Sequence, residues 1–156
     1  SRRQRQMCIR DRGEWAETDW IYDSVSEKYR LYDCNFNCLK LDGNIDLSGC
    51  TKIDNIDFAS NNIRTVTLPV RNINEGEFYN CSKLEAVILQ GGTTISSGAF
   101  MNCPALQAIY IPDSIADISD DAFANSSKVT ICANTGSFAE AFANKKGINF
   151  KSGSFL

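Results

Sequence analysis

Three consecutive stretches decide the fold, because they repeat one pattern: FYNCSKLEAVIL (78–89), FMNCPALQAIYI (100–111) and FANSSKVTI (123–131). Their phenylalanines are 22 and then 23 residues apart, and the other apolar residues keep the same step. A fixed period of this size is typical of solenoids, in which each unit buries its apolar face only against its neighbours. The repeats therefore predict a stacked coil, a fold that usually presents a surface instead of a reaction centre.

Within each repeat, apolar residues follow the order Leu-x-x-Ile-x-Ile, whose last two members are two residues apart, as in a strand with one buried face. This predicts one short parallel strand per repeat, with a turn after it at Gln90–Gly92 and at Pro112. The residues predicted to point inward are Leu84, Val87, Leu89, Leu106, Ile109, Ile111, Val129 and Cys132. The single phenylalanine of each repeat is predicted to line the interior on the other side. A cofactor-binding aromatic stripe is the less favoured interpretation.

The segment Leu106 to Phe123 (LQAIYIPDSIADISDDAF) resembles the repeat of the BspA-like leucine-rich repeat family, L-x-x-I-x-I-P-x-S-V-x-x-I-G-x-x-A-F-x-x-C. The resemblance covers residues 63–150, with Ser119 in place of a glycine and Ser126 in place of a cysteine. It implies a leucine-rich repeat solenoid of the α/β type. It also implies a surface or secreted protein of a host-associated microbe that acts in adhesion or protein binding, without catalysis and without fixed functional residues.

Upstream of this region the register is ambiguous. Residues 63–69 align with 84–90 at a step of 21, yet residues 53–63 fit the general leucine-rich consensus L-x-x-L-x-L-x-x-N-x-L. Leu31, Cys34 and Phe36 lie 22 residues before Ile53, Ile56 and Phe58. Ile53 and Ile63 are only ten apart, and both resemble strand starts. We therefore expect divergent repeats over 34–62 and a change of repeat type near residue 60.

The two ends differ from the repeats. Residues 1–12 (SRRQRQMCIRDR) resemble a translated transposase-type sequencing adapter, which predicts a non-native tail on a fragment of a longer protein; a basic arm is the alternative. Residues 13–150 are predicted to form a single repeat domain. Within it, residues 13–33 are either an N-terminal hairpin cap or part of an upstream unit, and 63–132 are the BspA-like repeats.

The C-terminal part, 133–150, is predicted to be a cap built on a short helix. Ser137 is placed as its N-cap, Glu140 at the capping-box position and Gly147 just past its end. Phe138 and Phe142, four residues apart, are expected to cover the open end of the coil, and residues 151–156 to be a frayed tail.

Charge and composition exclude several classes of function. The net charge is −3, and without residues 1–12 it becomes −7, which disfavours nucleic-acid binding. The sequence contains no run of about 18 apolar residues, so no membrane span is predicted. It also contains no histidine, which removes the usual nucleophile–base pairs and the commonest metal ligand. We expect no enzyme activity, no cofactor and no metal, and a monomeric chain.

The cysteines leave alternatives open. Cys34, Cys38 and Cys50 lack the second C-x2-C pair of a zinc site. Cys81 and Cys103 occupy equivalent places one coil apart, where buried reduced thiols are favoured over a disulfide.

Strand alternation predicts two outward columns, Thr65, Ala86, Ala108 and Ile131 beside Thr67, Ile88, Tyr110 and Ala133. The largest members suggest a partner-binding face formed by Thr67, Ile88, Tyr110 and Ile131, for a protein or a glycan. The predicted function is a non-enzymatic binding or adhesion module at the cell surface or outside the cell. The alternative is a structural spacer that presents another domain.

Overall fold

A computed structural model of the chain describes residues 2–9, 15–23, 28–31, 42–48 and 58–155. The elements, in chain order, are β1 (Arg2–Ile9), β2 (Trp15–Asp23), β3 (Lys28–Leu31), β4 (Asp42–Asp46), β5 (Asn62–Leu68), β6 (Ala86–Leu89), β7 (Thr94–Ile95), β8 (Ala108–Tyr110), β9 (Asp117–Ile118), β10 (Thr130–Ala133), α1 (Phe138–Lys146) and β11 (Asn149–Ser152).

One sheet runs along the whole solenoid. Its strand order is β1-β2-β3-β4-β5-β6-β8-β10-β11, and β7 and β9 form a second sheet of two strands. The pairs β1–β2 and β2–β3 are antiparallel, and every pair from β3 onward is parallel. The prediction of one parallel strand per repeat is therefore confirmed. The pairing of β2 with β3 has the form that the hairpin interpretation of residues 13–33 requires, and the adapter-like segment supplies β1.

Two columns of apolar side chains fill the strand side of the interior. Each member is at most 3% exposed, so the core is continuous along the stack. The first column consists of Ile45, Val66, Val87, Ile109 and Ile131, and the second of Leu47, Leu68, Leu89, Ile111 and Ala133. Strand alternation explains the pattern, since residues two apart in a strand share a face.

Phenylalanine rings fill the other side of the coil. Phe58, Phe78, Phe100 and Phe123 stack in order, with ring centroids 4.7, 5.2 and 5.4 Å apart and interplanar angles of at most 12°. All four residues are buried. The predicted alignment of Phe78, Phe100 and Phe123 in the interior is thus confirmed.

The predicted register before residue 63 is wrong where the structure describes it. Phe58 is not a strand residue but a ring of the stack, the first among the described residues, 20 residues before Phe78. The strand of this coil is β4, whose Ile45 pairs with Val66 at a step of 21. The same plan therefore continues on both sides of residue 60. Ile53, Ile56, Cys34 and Phe36 lie outside the described residues.

The turn after each phenylalanine is held by two further ladders of side chains. Asn80, Asn102 and Asn125 all have φ of 58°, and their amides hydrogen-bond from coil to coil at 3.1 and 2.8 Å. Asparagine is among the residues that tolerate this left-handed conformation best. Next to them, the side chain of Cys81, Cys103 or Ser126 donates to the carbonyl of the preceding coil's phenylalanine, at 3.0, 3.1 and 2.6 Å respectively.

The turn after β6 brings two coils unusually close. Gly92 has φ of 109°, and a Cβ atom there would lie 2.0 Å from the carbonyl oxygen of Arg71. On its other side, Asn72 accepts hydrogen bonds from the backbone amides of Thr93 and Thr94. Only glycine fits this position, which explains Gly92 at the strand exit.

Helix α1 begins and ends as predicted. The Ser137 hydroxyl accepts from the Glu140 amide at 3.2 Å, and Gly147 ends the helix with φ of 67°. The prediction that Phe138 covers the coil is wrong, because its side chain is 43% exposed. The buried face is Ala139, Phe142 and Ala143, and Phe142 rests on Phe123 with ring centroids 6.2 Å apart.

The last strand extends further than expected. Residues 151 and 152, predicted to be part of a frayed tail, pair with Cys132 and Ala133 in β11. The amide of Gly153 also donates to the Ala133 carbonyl at 2.9 Å, so the ordered chain continues past the predicted cap.

Candidate binding face

The outward side of the parallel strands carries two columns of side chains, which we call the outer face. The first column consists of Asn44, Thr65, Ala86, Ala108, Thr130 and Asn149. The second consists of Asp46, Thr67, Ile88, Tyr110, Cys132 and Lys151. Six strands spaced about 4.8 Å apart make the outer face about 24 Å long.

Three of the four residues predicted for partner binding meet on the second column. Thr67 pairs with Ile88, and Ile88 with Tyr110, so the three are direct neighbours on adjacent strands. Each is half-buried, in contact with its neighbours and with solvent. The structure thus assembles an apolar row from residues that are 21 and 22 positions apart in the chain.

The fourth predicted residue, Ile131, does not belong to the outer face. Its side chain is fully buried, and it pairs with Ile109 in the core. In the last coil Ile131 lies two positions after Val129, whereas in the preceding coil Ile109 lies three positions after Leu106. A shift of one residue exchanges the faces of a strand, so Thr130 and Cys132 face outward and Ala133 lies inside.

The prediction that Cys132 points inward is wrong, because it pairs with Tyr110 on the outward column, in the place expected for Ala133. Although it is on the outward side, it is only 1% exposed, because Tyr110 and Lys151 lie on the strands that flank it. Burial raises the pKa of this thiol, and the charge of Lys151 opposes the rise. The thiol stays protonated at neutral pH and extends the apolar row.

Polar groups border the outer face where the strands begin. Arg64 and Glu85, on adjacent coils, form an exposed ion pair at 3.2 Å. They line a shallow cleft of about 460 Å³ together with Ser82, Lys83 and Ala105. On the face itself, the Thr65 hydroxyl donates to the Asn44 amide oxygen at 2.8 Å. Neutral groups occupy the centre, and charged groups lie at the margin.

The buried thiols of the turns are structural groups. Cys81 and Cys103 are fully buried thiols, and each donates to a carbonyl of the preceding coil. Burial, together with the neighbouring Cys81, raises the pKa of Cys103 to about 12, which suits a hydrogen-bond donor and not a nucleophile. Among residues 43–48 and 58–155, no group of three potential ligands is arranged to hold a metal ion. The zinc alternative concerns Cys34, Cys38 and Cys50, which lie outside the described residues.

Comparison with known families agrees with this architecture. A model of the BspA type leucine rich repeat region matches residues 27–149 in six copies. The chain belongs to this family. The match begins 36 residues before the resemblance noted at residue 63, and it takes in residues 34–62, where divergent repeats were expected. No curated protein and no solved structure matches the chain.

Membership of the BspA-type family has a general functional meaning. Its members are generally surface-associated repeat proteins involved in binding. In the part of the chain that the structure describes, no helix is both long and apolar enough to cross a membrane.

Proposed function

We propose that this chain is a non-enzymatic binding module, part of a cell-surface or secreted protein, whose outer face contacts another protein. The family supports a role in binding, and the fold offers a surface that is continuous from coil to coil. An adhesive role outside the cell is the form of binding that fits a rigid repeat array of this family.

The observation that carries the proposal is the apolar row on the second column. Ile88 and Tyr110 stand side by side next to Ala86 and Ala108, whose side chains end at Cβ. The small residues leave a trough beside a ridge of larger ones. A partner that fills this trough would bury apolar surface without stripping water from a charge, since no charged residue lies among these four.

The rigidity of the sheet favours binding further. Each of these strands is hydrogen-bonded on both sides, and the residues between the outward ones are fully buried. A surface that is already ordered loses little conformational freedom on association. Ile88 with its neighbours Ala86 and Ala108 favours a protein over a glycan, since these side chains offer contact area but no hydrogen bonds.

The test is a matched set of substitutions. Ile88→Asp and Tyr110→Asp place a charge in the apolar row, and Val70→Asp makes the same kind of change at a residue that is 73% exposed in the turn after β5. In biolayer interferometry with immobilised, purified extracellular-matrix proteins and glycans, the wild type and Val70→Asp should bind the same ligand. Both substitutions in the row should abolish this binding and lower the melting temperature only slightly, since both side chains are half-buried.

The same experiment distinguishes binding from the alternative role as a structural spacer. A spacer role is consistent with the small and polar side chains of the first column. If Ile88→Asp and Tyr110→Asp keep every contact of the wild type, the outer face is not a binding surface and the spacer role is favoured. If they unfold the chain, the assignment of the strand faces is reversed. Light scattering should find the wild-type chain monomeric.

A further inference from the structure

The last turn of the solenoid differs from the earlier ones in its backbone hydrogen bonds. In the two preceding coils, the amides of the phenylalanine and of the asparagine two residues later both donate to the next coil. Phe78 and Phe100 donate to the carbonyls of Ala99 and Ala122, each at 2.8 Å. Asn80 and Asn102 donate to the carbonyls of Met101 and Ala124, at 3.1 and 2.9 Å.

In the last coil, the corresponding donors are the amides of Phe123 and Asn125. Neither has an acceptor among the described residues, because α1 follows instead of another coil. The asparagine ladder also stops here. The Asn125 amide nitrogen donates to Asn102, and no described group donates to the Asn125 oxygen. Phe123 is buried, and buried backbone donors are nearly always paired in folded proteins, whereas Asn125 is exposed to solvent. This end of the stack therefore offers a buried donor and an exposed donor to a partner that continues the coil.

These groups line a cleft. It has a volume of about 410 Å³, within the range of small-ligand sites, and it lies between the last turn and the end of α1. Phe123, Val129 and Ile148 supply an apolar floor, and Asn125 and Ser127 a polar rim. Lys146 also lines it, but its ammonium already pairs with Asp120 at 3.1 Å. The charge is therefore partly neutralised, which favours a neutral acceptor over an anion.

We propose that this cleft is a second binding site, separate from the outer face, for a peptide segment that takes the place of the missing next turn. The first and third residues of such a segment supply carbonyls to the amides of Phe123 and Asn125. Its fourth residue is an asparagine, whose amide donates to Asn125. Its second residue is small, because Phe142 already occupies the space against Phe123 that a further aromatic ring would take.

The probe that follows from this geometry is the capped peptide acetyl-Ala-Gly-Ala-Asn-amide. Its titration into the ¹⁵N-labelled full chain should shift the Phe123 and Asn125 amide resonances downfield, saturably, and slow their hydrogen exchange. The amides of Phe100 and Asn102, already bonded to the next coil, should stay unchanged. The scrambled peptide acetyl-Asn-Ala-Gly-Ala-amide should bind more weakly.

Two pairs of variants locate the site. Ser127→Trp fills the cleft and should remove the peptide-induced shifts, whereas Lys128→Trp, one residue on and outside the cleft, should keep them. Asn125→Gly and Asn80→Gly each delete one bond of the asparagine ladder and keep a residue suited to positive φ. Only Asn125→Gly should weaken the peptide.

Several results would overturn the proposal. The wild-type titration decides it even if a variant fails to fold: absence of saturable shifts at Phe123 and Asn125 means that water alone satisfies these donors. Equal binding of the scrambled peptide would mean that the cleft does not select this segment. The same shifts produced by inorganic phosphate would indicate an anion site. Shifts that grow with protein concentration without peptide would assign the cleft to a second copy of the chain.

Discussion

On the strand side of the solenoid, neighbouring coils are joined by backbone hydrogen bonds. On the turn side, neighbouring coils are also joined by side chains whose identity repeats from coil to coil. The strand side accepts valine, leucine, isoleucine or alanine at its inward positions. Among the described residues, the turn side repeats phenylalanine four times, and it places cysteine or serine where one donor must reach one carbonyl. Side-chain identity is therefore constrained more strongly at the turns, and the alternation of faces more strongly in the strands.

The largest loss of stability is expected when a charged side chain is placed among the inward residues of the strand side. Ile131→Asp buries a carboxylate in the core without a partner, and it should prevent folding or lower the free energy of unfolding by at least about 3 kcal/mol. Thr130→Asp, one residue earlier on the outward side, should change it by less than about 1 kcal/mol. Urea denaturation followed by circular dichroism measures both. Equal losses would contradict the register of the last strand.

On the turn side, Phe100→Ala opens a cavity between Phe78 and Phe123. It should lower the free energy of unfolding by about 3–5 kcal/mol, the usual result of removing a fully buried aromatic side chain. Tyr110→Ala on the outer face serves as the control, and its loss should be smaller because the side chain is half-buried. Thermal melts of the two variants rank them. A larger loss for Tyr110→Ala would mean that the ring stack is not the main support of the turn side.

A medium effect is expected at the position shared by cysteine and serine. The Ser126 hydroxyl donates to the Phe100 carbonyl and accepts from the Cys103 amide at 2.9 Å. Ser126→Ala leaves both groups buried and unpaired, which should cost about 1–3 kcal/mol. Ser126→Cys restores the residue type of the two preceding coils and should lose less. If both substitutions cost the same in urea denaturation, a thiol does not replace the hydroxyl as a hydrogen-bonding group at this position.

The smallest effect is expected in the asparagine ladder, where two variants distinguish the contribution of backbone conformation from that of side-chain hydrogen bonds. Asn102→Ala places an ordinary residue at φ of 58° and should cost about 1–2 kcal/mol. Asn102→Gly accepts this conformation and loses only the two amide bonds of the exposed ladder, so its cost should be lower. Equal melting temperatures for the two variants would show that the left-handed turn carries no strain.

The regular repeats made most of the fold predictable from sequence. The step of 22 or 23 residues between Phe78, Phe100 and Phe123 predicted the ring stack, and the paired strand residues predicted the core columns of the coils before the last. Ser137 and Gly147 predicted the ends of the helix, because capping depends on local geometry. These signals repeat or act locally, so they can be recognised without knowledge of tertiary contacts.

The misplaced residues have a common cause, which is a change in spacing. Phe58 lies eight residues before the inward Val66, whereas Phe78 lies nine before Val87, and this difference concealed its place in the stack. In the last coil, the same reduction moved Ile131 from the predicted binding face into the core. Apolar composition does not reveal such a shift, since an isoleucine suits either side of a half-exposed strand.

The shortened last coil also has a consequence for how such arrays diversify. When one residue is lost between the phenylalanine of a coil and its strand, the side chains that faced outward turn inward and the others turn outward. Thr130 and Ile131 illustrate this exchange. A single codon gained or lost can thus renew the chemistry shown to a partner, provided that both sets tolerate their new surroundings. Insertions and deletions in the turns would then change the binding specificity of the outer face as effectively as substitutions on it.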